Sequence, residues 1–83
     1  MLIILAVIIY GNIKMAEIQA FYFSMYIYND YLVKRWLARY KINYIEMYKT
    51  KGNEIKVIIN KKDEYTKFKY RYITDYIRLR MGF

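Results

Sequence analysis

A chain of 83 residues allows one small domain, with a modest buried fraction and marginal stability. It has no Cys and no His, which excludes a disulfide framework, the usual zinc and haem ligand sets and any nucleophile–His arrangement. The net charge is +8, and residues 1–29 hold one base, Lys14, and one acid, Glu17, so the whole excess arises in residues 30–83.

A basic half beside an apolar half points to nucleic acid or another polyanion, an anionic membrane surface or an acidic protein. Pro is absent and aromatics make up 20% of residues, which argues against a disordered tail. Ile, Lys, Tyr and Asn are also the residues that an AT-rich genome over-supplies. The 12 Tyr therefore record coding bias as well as chemistry, as in a virus, an organelle or an AT-rich microbe.

The first segment, "MLIILAVIIYGNI" (1–13), carries no charge. As a helix it would reach roughly 20 Å, short of the ~30 Å hydrocarbon layer of a bilayer. Its β-branched content and its stop at Gly11-Asn12 read as an apolar strand followed by a turn. A membrane-associated segment is the alternative. Met15, followed by "AEIQAFYF", also reads as a second start site.

The next stretch, "AEIQAFYFSMYIY" (16–28), is aromatic enough to favour a strand over a helix. As a strand it places Phe21, Phe23, Met25 and Ile27 on one face and Tyr22, Ser24, Tyr26 and Tyr28 on the other. "NDYLVKRWLARYK" (29–41) predicts an amphipathic helix over 30–41. Asn29 or Asp30 caps it, and Leu32, Val33, Trp36, Leu37 and Tyr40 form its apolar stripe. Trp36 is expected as a core anchor, and Arg35 and Arg39 fall on the polar side.

Three strand-like runs follow: 43–50, 54–60 and 65–73, joined by "KGN" and "KKDE", both of hairpin length. Closing the first hairpin at Lys51–Asn53 sets Met47 opposite Val57 and Tyr48 opposite Lys56. Closing the second at Lys61–Glu64 sets Val57 opposite Phe68 and Lys56 opposite Lys69. The two registers agree on one core face with Ile45, Met47, Ile55, Val57, Ile59, Phe68, Tyr70 and Tyr72. The other face collects Tyr44, Glu46, Tyr48, Lys56, Ile58, Lys67, Lys69 and Arg71. Opposed lysines are destabilising, so Lys56 and Lys69 call for an anion, with Glu54 paired to Arg71. Lysines on a strand edge, where they discourage pairing, are the competing explanation. The tail, "TDYIRLRMGF", suits a short helix capped by Thr74 or Asp75, or a final strand.

Gly11, Gly52 and Gly82 stand apart, so no glycine-rich phosphate loop exists. Glu46 followed by Glu54-Ile55-Lys56 resembles the acid constellation of metal-dependent restriction-type nucleases. The expected register separates the two carboxylates by roughly 13 Å along the hairpin, too far to share an ion. RNA-recognition sheets carry exposed rings within a recognisable motif on a central strand, whereas the rings of 65–73 are expected to face inward.

The resulting expectation is a single α+β domain, a small antiparallel sheet packed on one face by a single amphipathic helix. It would bind nucleic acid without catalysis, cofactor or metal, mainly through phosphates and as a component of a larger protein or ribonucleoprotein assembly. Lys56, Lys67, Lys69 and Arg71 are the primary candidates and Arg35 and Arg39 the secondary ones, with Tyr44 and Tyr48 available for stacking. Two alternatives are a membrane-anchored accessory subunit held by residues 1–28, and an inhibitor-like module presenting a basic face to an acidic partner.

Overall fold

The computed structural model describes residues 18–61 and 65–82. The elements are β1 (Ile18–Ser24), α1 (Asp30–Arg39), β2 (Glu46–Lys49), β3 (Glu54–Ile58), β4 (Phe68–Thr74) and β5 (Ile77–Gly82). The strands form one antiparallel sheet in the order β2-β3-β1-β5-β4, and α1 covers one face. Among the described residues no helix is long and apolar enough to cross a membrane. The apolar run 1–13, its Gly11-Asn12 turn and Met15 lie outside the described residues.

β1 is the centre of the sheet. It pairs with β3 through Phe21↔Val57 and Phe23↔Ile55, and with β5 through Phe21↔Leu79 and Phe23↔Ile77. A strand flanked on both sides suits a segment apolar on both faces, and residues 18–23 are all buried. A register shift between Ile18 and Ala20 turns Ile18 to the same core as Phe21 and Phe23. The bulge corner is held by Asn60, whose Nδ2 donates to the Ile18 carbonyl at 2.8 Å and whose Oδ1 accepts from the Tyr65 hydroxyl at 2.8 Å.

The helix begins where its cap predicts: the Asn29 side chain accepts from the Leu32 N–H at 2.9 Å. Val33, Leu37 and Tyr40 are buried, Trp36 is half-buried and Leu32 is exposed at the margin of the stripe. Trp36 meets Phe21 and Phe23 edge-on, with centroids 5.5 and 5.2 Å away, and Tyr40 lies 4.8 Å beyond it. Such pairs contribute about 0.5–1.5 kcal/mol beyond the area they bury. At the other end Lys41 takes φ 55 while the Ile42 N–H bonds the Leu37 carbonyl and the Lys41 N–H bonds that of Ala38. That is a Schellman stop with lysine where glycine is usual.

The β2–β3 hairpin has the expected register, Met47↔Val57 and Tyr48↔Lys56. Its loop places Asn53, not Gly52, in the left-handed region at φ 56, as a three-residue hairpin with a terminal left-handed residue requires. The second expected hairpin is wrong. β3 pairs with β1 instead of β4, and β4 pairs with β5. β3 is largely buried and needs two neighbours, whereas β4 is exposed over most of its length and sits at the sheet edge. The tail is a strand, not a helix. Asp75 and Tyr76 make the turn, and the Thr74 hydroxyl accepts from the Tyr76 N–H at 3.1 Å.

Two substitutions test this packing. A methyl group on Gly82 would lie well inside van der Waals contact with the Tyr65 ring, so Gly82→Ala should cost about 1–3 kcal/mol in urea unfolding. Lys41→Gly relieves a left-handed lysine and should raise stability by about 0.5–1 kcal/mol, read as a higher melting temperature.

Candidate functional site

The face turned away from α1, the outer face, is built by the residues that alternate with the core. One row crosses all five strands: Tyr48 is opposite Lys56, Lys56 opposite Tyr22, Tyr22 opposite Arg78, and Arg78 opposite Tyr72. Ring and cation therefore alternate from edge to edge. The Lys56 Nζ lies 5.9 Å from the Tyr48 ring centroid and 5.5 Å from that of Tyr22. The Arg78 guanidinium carbon lies 4.1 Å from the Tyr22 centroid and 4.8 Å from that of Tyr70. In the neighbouring row the Arg80 guanidinium carbon sits 3.9 Å from the Phe68 centroid. Each contact contributes about 0.5–2 kcal/mol, rising as water is excluded.

Arg78 is the most constrained cation of the row. Its Nη2 and Nε donate to the two Glu54 carboxylate oxygens at 2.8 and 3.1 Å, with both side chains 23% exposed. Those hydrogen bonds hold its pKa above the ordinary arginine value, and burial opposes them. The charge is permanent and its direction is fixed.

Several expected site residues fall elsewhere. Lys69 and Arg71 are opposite Met81 and Leu79, residues of the buried core, so they point to the helix side of the sheet along its exposed edge. Lys67 precedes the strand and is exposed. Phe68, Tyr70 and Tyr72, expected inward, turn to the outer face opposite Gly82, Arg80 and Arg78. The cause is the pairing: with β5 setting the register, every side chain of β4 takes the face opposite to the one that β3 would have dictated. Lys56 therefore faces rings, not Lys69, and the like-charge clash that called for an anion does not exist. Glu54 pairs with Arg78, not with Arg71.

Lys56 and Tyr48 are on the outer face as expected, and Tyr44 is exposed just before β2. Arg35 and Arg39 belong to the helix layer on the other side of the sheet. There they line a cleft of about 560 Å³ with Ile27, Tyr28, Leu32 and Trp36. Arg78, Arg80 and Tyr22 were missed as site residues. The signal was present in "IRLRM" (77–81), whose strict alternation places both arginines on one face of a strand.

The nuclease-like acids are spoken for separately. Glu46 is opposite Ile58 and pairs with Lys61 at 2.8 Å, whereas Glu54 holds Arg78. Among the described residues no group of three or more His, Cys, Asp or Glu is placed to hold a metal ion. A second cleft, about 570 Å³, opens at the hairpin end of the sheet, where Tyr26 and Tyr76 stack nearly parallel at 6.1 Å beside Glu54, Tyr72 and Arg78.

Compared with protein-family models, curated proteins and solved structures, the chain matches none.

The two ion pairs differ enough to be told apart. Glu54→Gln strands a half-buried guanidinium and should cost about 1–2 kcal/mol in denaturant unfolding. Glu46→Gln touches a pair exposed at 48% and 54%, and its effect should stay within about 0.5 kcal/mol.

Proposed function

We propose that the protein binds nucleic acid through the outer face of its sheet and its β4 edge, as a non-enzymatic component of a larger assembly. The observation that carries this is the row Tyr48–Lys56–Tyr22–Arg78–Tyr72, in which positive charge is held at fixed positions among rings. A net charge of +8 supplies the long-range attraction. Sheet-edge protection explains Lys69 and Arg71, which sit on an edge strand. It does not explain Lys56, which sits on an internal strand of the sheet. Phosphates are met by Lys56 on the face and by Lys67, Lys69 and Arg71 along the rim, so affinity depends on salt and little on sequence.

Arg35 and Arg39 lie in the helix layer, where they line the cleft with Trp36, and serve as the internal control. Fluorescence anisotropy with a labelled oligonucleotide at several salt concentrations should give a linear fall of log affinity with log salt. Lys56→Glu combined with Arg71→Glu should lower affinity at least tenfold and flatten the slope by about 0.7–0.9 per lost phosphate contact. Arg35→Glu with Arg39→Glu should change it less than threefold. Salt-insensitive binding, or equal binding of poly-glutamate, would sink the nucleic-acid reading in favour of an acidic protein partner.

A further inference from the structure

We infer that this interface selects single strands over duplexes, with Tyr70 and Tyr72 as base-stacking platforms; the inference rests on the nucleic-acid reading above. What projects from the outer face is aromatic. Tyr72 is 67% exposed and Tyr70 is 52% exposed, and Phe68 and Tyr48 are exposed beside them. The two arginines of the same face lie down against the rings, at 3.9–4.8 Å from the centroids, and the Arg78 guanidinium is engaged by both oxygens of Glu54, which leaves Lys56 as the cation of the face that meets phosphate. A duplex shows its phosphates and hides its base planes, so it would meet mostly tyrosine and few reaching cations. A strand with free bases offers planes to the rings, and its backbone can swing to the lysines and arginine of the β4 rim.

Spacing favours the same ligand. Phe68, Tyr70 and Tyr72 recur every second residue on one face of β4, so their origins are about 6.6 Å apart. Bases stacked in a duplex advance by only ~3.4 Å per strand. Successive bases can lie on successive rings only after unstacking, which a single strand allows and a duplex resists. The hairpin-end cleft lies at the end of this line. Tyr72 belongs to both, Arg78 borders the cleft, and Tyr26 and Tyr76 continue the aromatic surface into it.

The test uses the full chain, a labelled oligothymidine and a blunt duplex of equal length, at one salt concentration. Single-strand affinity should exceed duplex affinity at least tenfold. Tyr72→Ala should weaken single-strand binding about tenfold, and Tyr70→Leu with Tyr72→Leu further, whereas Tyr70→Phe with Tyr72→Phe should retain it. The salt slope should be unchanged in all three, because no phosphate contact is lost. Thermal melts check that these exposed positions leave the fold intact. Equal affinity for the duplex, or single-strand binding indifferent to removal of both rings, overturns the inference while the phosphate reading stands. No binding of either form overturns both.

Discussion

The fold depends on the packing of α1 against β1, where Trp36 meets the rings of Phe21 and Phe23 beside the buried Val33 and Leu37. It fixes α1 over the middle strand, and the middle strand in turn accepts β3 on one side and β5 on the other. β2 and β4 pair outside β3 and β5 and bring Met47 and Ile73 against the margin of the core. Large-to-small changes at such ring clusters typically cost about 3–5 kcal/mol. Native domains are typically stable by about 5–15 kcal/mol, so losing either phenylalanine removes a large part of the margin.

The same strand also organises the outer face. "FYF" at 21–23 alternates, so two phenylalanines facing α1 leave Tyr22 facing the other way. Tyr22 is buried there because Lys56 and Arg78 lie over it from both neighbouring strands. One backbone alternation thus sets the hydrophobic centre and the centre of the cation–ring row. The layout of the outer face is a by-product of register.

Much of this was legible in the residues. The helix, a cap at Asn29 or Asp30 and most of its stripe follow from spacing, with Leu32 left exposed at the margin. The β2–β3 register follows from a loop whose length and turn residues leave one closure. The misreading came from β4. A four-residue connection looked like a hairpin, and chain adjacency was taken for spatial adjacency. Burial held better information: "IQAFYFS" is apolar on both faces and belongs in the middle, whereas "FKYRYIT" is charged on one face and aromatic on the other and belongs at an edge. Because strand periodicity is two, that single error in neighbour reversed every side chain of β4 and took Lys69 and Arg71 off the outer face. The Arg78–Glu54 pair could not be read from local pattern at all, since it joins residues far apart in sequence through two strand pairings.

An edge strand as long as β4 carries a colloidal consequence. Among the described residues no strand lies beyond it, an edge of the kind that can template a second copy, and Lys69 and Arg71 set like charges along that line. Repulsion between two approaching molecules is the barrier that keeps such templates apart, and its reach is the Debye length, ~8 Å at physiological ionic strength. Concentrated salt shortens that reach, and so brings the protein closer to self-association.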